Sequence, residues 1–283
     1  MIGMQEILTS LNIGLIFGIV AIGIFLTFRT INFADMTCDG SFVLGASVSA
    51  VLIKYDVNPY IALVTSFISG GIAGFCTGIL NVKFRIADLL SGIIIAFMLY
   101  SINLRIMEDA PNITLIDKTT IFENDTQSFV ATAIILFLIL GVVFMLFSKF
   151  GLKLRAVGYN QRFASISGIN INFMKIAGLM ISNALIATGG GLFTNYQGFC
   201  DISGGIGTLV CGLASVIIGE RILRFKKEPL FILSCVIGSI IYRIFINIAL
   251  HGDILGIKTQ DINLITGGLI IAIIIMKKGK IKC

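Results

Sequence analysis

Apolar residues fill long stretches of this chain, and short polar stretches separate them. A helix needs about 20 apolar residues to cross about 30 Å of hydrocarbon. Five stretches meet or approach that length, and the others are shorter. We therefore predict about nine membrane segments, within a range of roughly eight to ten. They lie at residues 7–28, 38–54, 57–82, 87–104, 126–148, 174–198, 202–219, 229–250 and 262–276.

Composition places the chain in the membrane. Of its 283 residues, 57% are hydrophobic and only 13% are charged, whereas a soluble domain carries about 25% charged residues. Charged side chains keep a folded surface in water, so this chain has too few of them for a soluble protein. We predict an all-α fold, a single polytopic transmembrane helical bundle spanning residues 1–283. Disordered, collagen-like and disulfide-stapled classes are excluded.

Lysine and arginine placement gives the predicted topology. With the C-terminus in the cytoplasm, nine crossings place 16 of the 21 Lys and Arg residues inside and four outside, with Arg243 in a segment. Ten of the 15 acidic residues fall outside, several of them in an outer loop at 105–125. This asymmetry follows the positive-inside rule. It indicates a topology signal rather than a nucleic-acid patch.

Polar residues open the second segment. Asn32, Asp35 and Asp39 stand just before an apolar run that is too short to cross alone. The segment is therefore either extended by this polar stretch or broken and re-entrant, an arrangement tolerated only inside protein or beside a water-filled cavity. We favour a break near a solute pathway, and a simple interfacial loop is the alternative.

Glycine patterns suggest two further features. Gly70, Gly74 and Gly78 share one helix face, which favours close helix packing. Glycines 189–191 stand in the sixth segment, and Gly204, Gly205 and Gly207 begin the seventh. Glycine at this density disfavours a straight helix, so we expect the sixth segment to break near its outer end, with an ordinary chain turn as the alternative.

Arg243 is the basic residue placed well inside a predicted segment. An unpaired charge there is costly, so we expect a partner from Asp201, Asp253 or Asn247. A structural ion pair and direct contact with a solute both remain open.

No catalytic or metal site is expected. The chain has one histidine, no C-x-x-C pair and no Walker A pattern. If transport needs ATP, another chain must hydrolyse it.

The predicted cytoplasmic loop at 149–173 contains a short helix. Asn160 suits its N-cap, Phe163 and Ile166 form an apolar side, and Gly168 suits its C-terminal stop. Such a helix either lies on the membrane surface or inserts into a groove of a cytoplasmic partner.

Three stretches resemble one family. Gly151, Leu154–Gly158, Asn160, Ala164 and Gly168-Ile169 are similar to the coupling-helix motif of ABC-transporter permeases of the branched-chain amino acid and ribose branch. Asn32-Phe33-Ala34, followed by Gly40 and Gly45-Ala46, is similar to that family's early motif. Leu99–Met107 with Pro111-Asn112-Ile113 resembles its tryptophan/tyrosine transporter subgroup. The chain departs from the family at Asp35-Met36 and at Glu108, where small residues are usual.

The resemblance implies a permease subunit for uptake of an amino acid or similar small polar solute, in a bacterial cytoplasmic membrane. It implies a separate ATPase that holds ATP and Mg²⁺, a second permease chain, an extracytoplasmic solute-binding protein and a lipid bilayer as partners. No nucleic acid and no cofactor on this chain are expected. The implied ATPase-coupling residues are Arg155, Ala156, Gly158, Asn160, Ala164 and Gly168.

The implied pathway is less specific. Its predicted residues are Asn32, Asp35, Asp39, Ser101, Asn103, Asn195, Arg243 and Asn247. A sugar or nucleoside is the alternative solute. A secondary transporter or channel without an ATPase, a membrane-embedded enzyme and a purely structural subunit are the alternative functions.

Overall fold

The computed structural model describes residues 4–122, 125–223, 230–251 and 266–268. These residues are mostly helical. The helices are α1 (Met4–Phe25), α2 (Cys38–Lys54), α3 (Pro59–Val82), α4 (Asp88–Ile106), α5 (Asp125–Phe147), α6 (Lys149–Tyr159), α7 (Gln161–Ile166), α8 (Ile171–Gln197), α9 (Thr208–Ile222) and α10 (Phe231–His251). A π-helical turn, Leu26–Ile31, extends α1, and a 3₁₀ turn, Ile202–Gly205, precedes α9.

Seven helical stretches of the described residues are long and apolar enough to cross a membrane. They are Thr9–Ile31, Pro59–Val82, Asp88–Ile106, Phe129–Phe147, Ile171–Gln197, Ile202–Ile222 and Phe231–Ala249. The predicted second segment corresponds to α2, which has 17 residues and falls below that length. The predicted ninth segment lies outside the described residues except at 266–268, so a count of nine remains a prediction.

The chain leaves the helical conformation between α1 and α2. Asn32 ends the π-helical turn in the left-handed region, with φ at 57°. Residues 32–36 are not helical, and α2 begins at Cys38. This geometry places polar side chains next to a short helix. Whether it forms the predicted broken or re-entrant membrane segment remains a prediction.

Helices α2 and α8 pack at the centre of the bundle, with α3 and α1 also against α8. The expected break in the sixth segment is wrong, because α8 is one continuous helix from Ile171 to Gln197. Its glycines serve packing. A Cβ added at Gly190 would lie 2.0 Å from the carbonyl oxygen of Phe42. The absence of side chains therefore lets the two backbones approach directly.

The glycine face of α3 also packs on α8, as the spacing predicts. A Cβ at Gly70 would lie 2.4 Å from the carbonyl oxygen of Asn183, and one at Gly74 would lie 2.2 Å from that of Leu179. A Cβ at Gly78 would lie 3.0 Å from the Cγ1 atom of Ile176, closer than ordinary contact. Small residues at this spacing bring α3 and α8 together along several turns.

One end of the bundle carries a short antiparallel sheet that the sequence does not suggest. Strand β1, Asn112–Thr114, pairs with β2, Phe199–Asp201. Leu115 and Ile202 extend the pairing through backbone bonds to Gly198 and Pro111. The same end carries ion pairs from Lys54 to Glu108 and from Lys118 to Asp56. All four residues are predicted to lie on the outer, non-cytoplasmic side.

Candidate functional site

Two short helices follow α5 at the end opposite the sheet. The Ser148 hydroxyl caps α6 by accepting from the amide of Gly151. The Asn160 side chain then caps α7 by accepting from the amide of Phe163 at 3.1 Å. Gly168, just beyond α7, has φ of 75°, a conformation that glycine adopts without strain. The predicted cap and stop are confirmed.

Most of the predicted coupling residues pack against, or hydrogen-bond to, other parts of the same chain. A Cβ at Gly158 would lie 2.0 Å from the carbonyl oxygen of Thr30, and Ala164 is fully buried. The Arg155 guanidinium donates to the carbonyl oxygens of Leu146 and Gly151. Ala156 is half-buried. Ala164 therefore faces the chain itself, whereas Gly158 packs against Thr30 and remains partly exposed.

Asn160 and Gly168 of that set are exposed, and so are three large side chains outside it. Tyr159, Phe163 and Ile166 are 79%, 64% and 86% exposed. These three residues form what we term the α7 surface. The sequence contains a signal for it, because Phe163 and Ile166 stand three apart and share one face of a helix. Exposed apolar side chains on a short helix between two spans suit either a groove of a partner or the membrane surface.

A cavity of about 640 Å³ lies beside these helices. It is lined by residues of α1 and its π-helical turn, α6, α9 and α10, and Asn32, Tyr159 and Gly158 all border it. Across it, the Arg29 guanidinium donates two hydrogen bonds of 2.8 Å to the two carboxylate oxygens of Glu220. The bidentate pair links the end of α1 to the last turns of α9.

A polar centre lies deep in the bundle at the start of α2. Asp35 is fully buried. Its carboxylate accepts from the Thr37 amide at 2.8 Å and from the Asn183 side-chain amide at 2.7 Å. The Ser41 hydroxyl donates to the carbonyl oxygen of the same Asn183 side chain at 2.7 Å. Asn183 stands about 18 Å from the start of α8, so the centre lies at mid-depth.

Asp39, one turn into the same region, contacts another helix. Its carboxylate accepts from the amide of Leu209 at 2.8 Å and faces the amide of Gly207 at 3.4 Å. Both amides belong to the start of α9. Asn183 and the α9 amides were not among the predicted site residues. The sequence signal for Asn183 is a lone asparagine within an apolar run. Backbone amides have no signal in the sequence.

Arg243 has a different partner from those expected. The carbon of its guanidinium lies 3.8 Å from the centre of the Phe17 ring. Its Nε atom is buried and makes no hydrogen bond with any of the described residues. Asn247 donates instead to the Ser10 hydroxyl at 2.7 Å, and Asp201 accepts from Ser203. Asp253 lies outside the described residues. The expected ion pair is thus replaced, within the described part, by a cation–π contact.

The other predicted pathway residues are separated. Ser101 is exposed on α4. Asn103 donates to the carbonyl oxygen of Gly40 at 3.2 Å, and its own side-chain oxygen is buried with no hydrogen-bond partner among the described residues. Asn195 is buried and donates to the Ser49 hydroxyl and the Gly191 carbonyl. The structure therefore brings Asp35, Asp39 and Asn103 to the start of α2 and leaves the others apart.

Comparison with known proteins gives one consistent result. Residues 6–274 match the family model described as "Branched-chain amino acid transport system / permease component". The chain is 41% identical to a "Tyrosine transport system permease protein" of Clostridioides difficile, over 95% of this chain and 90% of that one. It is 26% identical to a probable branched-chain amino acid transport permease of Methanocaldococcus jannaschii, over 72% and 70% of the two chains.

A solved structure supports the same fold. The chain resembles PsaBC from Streptococcus pneumoniae in complex with Fab, with a TM-score of 0.55 at 14% identity. The match covers 95% of this chain and 89% of that one. The arrangement of helices is therefore one found in a solved structure.

Proposed function

The chain belongs to the family of branched-chain amino acid transport permease components, and on that premise we propose that it forms the solute pathway for uptake of an amino acid. It is an ABC-transporter permease, a transport subunit of a multi-pass membrane protein complex. The observation that carries the amino acid assignment is the 41% identity, over nearly the whole chain, to a tyrosine transport permease. An aromatic amino acid is therefore the first solute to test.

ATP hydrolysis belongs to another chain in this proposal. The chain contains no Walker A pattern to hold the phosphates of ATP and its Mg²⁺. The α7 surface presents Tyr159, Phe163 and Ile166 at the end where the predicted inside arginines gather. We assign ATPase docking to this surface. We assign the shape of this surface to the predicted coupling residues Arg155, Ala156, Gly158, Asn160, Ala164 and Gly168.

The remaining partners follow from the same proposal. A second permease chain completes the pathway, and a solute-binding protein delivers the solute to the outer loops. Arg29, Arg155 and Glu220 gather at one end, whereas Lys54, Glu108 and the sheet occupy the other. We assign the first end to the cytoplasm and the second to the outside of a bacterial cytoplasmic membrane, because the distribution of Lys and Arg along the sequence predicts that orientation. The predicted cytoplasmic C-terminus lies outside the described residues.

The α7 surface can be tested by co-purification. A tagged chain is solubilised gently, and the subunits that accompany it are identified. The variant replaces Phe163 and Ile166 by Glu, because charges there oppose an apolar contact. Ile116→Glu is the matched control, since Ile116 is 74% exposed at the opposite, predicted outer end.

An ATP-binding subunit is expected with the wild-type chain and with the Ile116→Glu variant, and its loss is expected from the double variant. Retention of the subunit by a folded double variant would remove the docking assignment. Loss from all three chains alike would contradict the assembly itself.

A further inference from the structure

Helix α9 starts without a cap of its own. Its N-cap residue is Gly207, with φ of 86° and no side chain to accept a hydrogen bond. The first amides of a helix have no partner within the helix. Inside a bilayer no water replaces that partner, so an unsatisfied amide is costly. The start of α9 therefore depends on an acceptor from elsewhere in the chain.

The carboxylate of Asp39 is that acceptor. It receives the Leu209 amide at 2.8 Å and faces the Gly207 amide at 3.4 Å. Asp39 also lies in the first turn of α2. The negative charge thus stands at the amino ends of two helices, and both helix dipoles favour a negative charge there. A side chain of one helix caps the other.

Backbone packing joins the same two elements independently of the carboxylate. We term Ile202–Gly207 the strap. A Cβ at Gly205 would lie 2.4 Å from the carbonyl oxygen of Asp39. At its other end, the strap is tied to the outer loop by the Ile202 amide, which donates to Pro111 at 3.0 Å. From Asp39 to the outer end of α2 is about 22 Å along the helix, so the strap leads inward from the sheet.

The short stretch that carries Asp39 also reaches α6, which together with α7 forms what we term the docking helices. The carbonyl oxygen of Thr30 lies against Gly158 of α6, and Asp35 is bonded to Asn183 of α8. Residues 30–39 therefore contact α6, α8 and α9 in turn. A displacement of α6 has a continuous packed route to the strap through this stretch.

We propose that Asp39 is a positioning residue for transport, which holds the strap and the start of α9 to α2 and so couples them to the docking helices. This role rests on the proposed function. It differs from the solute contact suggested by the sequence, because both carboxylate oxygens already face amides of α9. Ser203, Gly204 and Ile206 of the strap are exposed, and their placement is what Asp39 would control.

The test compares three variants in proteoliposomes that contain the complete assembly. Asp39→Ala removes the acceptor, and Asp39→Asn keeps one acceptor oxygen without the charge. Asp201→Ala is the matched control. The Asp201 carboxylate also bonds the strap, through the amide and hydroxyl of Ser203, but only locally. L-tyrosine is the probe, and its uptake is measured beside basal and L-tyrosine-stimulated ATP hydrolysis.

Asp39→Ala is expected to lower uptake and stimulated hydrolysis about tenfold. Loss of a well-formed helix cap changes a conformational equilibrium by about that factor. Basal hydrolysis should persist, which a misfolded chain would not allow. Asp39→Asn should stay within about threefold of wild type, and so should Asp201→Ala. Equal loss in Asp39→Ala and Asp201→Ala, or wild-type coupling in Asp39→Ala, would overturn the role.

A second readout does not depend on the solute. The Ile206→Cys variant, in a chain that also carries Cys76→Ser and Cys283→Ser, is labelled with a thiol reagent with and without vanadate-trapped nucleotide. The labelling rate should differ between the two states in the wild-type background and become equal with Asp39→Ala. A state-dependent rate that survives Asp39→Ala overturns the proposal. Failure of wild-type L-tyrosine uptake alone would count against the proposed solute and leave this readout intact.

Discussion

Asp35 and Arg243 are both charged residues within the bundle, the first fully buried and the second half-buried, and the chain satisfies them in different ways. Asp35 receives directed hydrogen bonds from Thr37 and Asn183. Arg243 lies over the face of Phe17, and its Nε has no hydrogen-bond partner in the part of the chain that the structure describes. Directed bonds fix the distance and angle between α2 and α8. A ring face accepts a cation over a range of positions, so it holds α10 to α1 less strictly.

The difference between these two contacts shows that a charged residue within the bundle does not always fix how its neighbouring helices are placed. The Asp35 centre joins α8 to the stretch 30–39. That stretch also contacts α6, where Thr30 lies against Gly158, and α9, where Asp39 accepts from Leu209. The Arg243 contact joins two helices that pack along most of their length in any case. Loss of one partner should therefore matter more at Asp35 than at Arg243.

The largest effect is expected from Asn183→Leu. This change leaves the buried Asp35 carboxylate short of one donor and the Ser41 hydroxyl without its acceptor. The free energy of unfolding should fall by about 3 kcal/mol, as measured by SDS titration in mixed micelles. Adding Asp35→Leu should recover part of the loss, since removal of both partners costs less than removal of one. A tolerated Asn183→Leu would show that the centre is not a fixed joint.

Gly190→Ala tests the same interface by contact rather than by charge. The new Cβ would lie 2.0 Å from the Phe42 carbonyl oxygen, so α2 and α8 must move apart. We expect a loss of about 2 kcal/mol by the same titration. Gly71→Ala is the matched control, because its Cβ would meet its nearest atoms at 3.9 Å. Similar losses in both variants would contradict the close approach of α2 and α8.

A smaller effect is expected from Arg243→Met. Methionine keeps much of the apolar stem, and the change removes a half-buried cation that has no hydrogen-bonded anion among the described residues. Stability should change by no more than about 1 kcal/mol, the scale of a cation–π contact. L-tyrosine uptake by this variant separates a structural role from the predicted pathway role. A loss larger than that of Asn183→Leu would reverse the comparison between the two centres.

The smallest effect concerns the outer end. Lys54, and then Tyr55, donate to Glu108 and hold the pKa of its carboxyl below the ordinary value. A lowered pKa adds stability at neutral pH that is lost as the pH falls through that pKa. Because these side chains are exposed, the contribution is small. Wild type should melt slightly above Glu108→Gln at pH 7, and the gap should close in acid. A gap that persists in acid would exclude the ion pair as its cause.

The sequence predicts the membrane helices well because each carries its own signal. Length and hydropathy locate α3, α5 and α8, and residue type locates the Asn160 cap and the Gly168 stop. Each of these features is decided by neighbouring residues. The resemblance to the permease family likewise depends on local motifs.

Contacts between distant residues could not be predicted in the same way. The glycines at 189–191 predict a break by local propensity, but packing against Phe42 overrides it. Gly158 and Ala164 belong to a recognisable motif, yet only the packed loop shows that they contact other parts of the chain. The acceptor of the α9 amides is 170 residues away in Asp39, and no spacing rule connects the two.

ATP-driven uptake of L-tyrosine by reconstituted vesicles tests the central claim most directly. The vesicles contain this chain with its co-purifying ATPase and binding protein, and a matched set contains this chain alone. Uptake should require ATP and the ATPase, and should exceed that of ribose and of a nucleoside. Uptake by the chain alone, without ATP, would contradict the account and identify a secondary transporter instead.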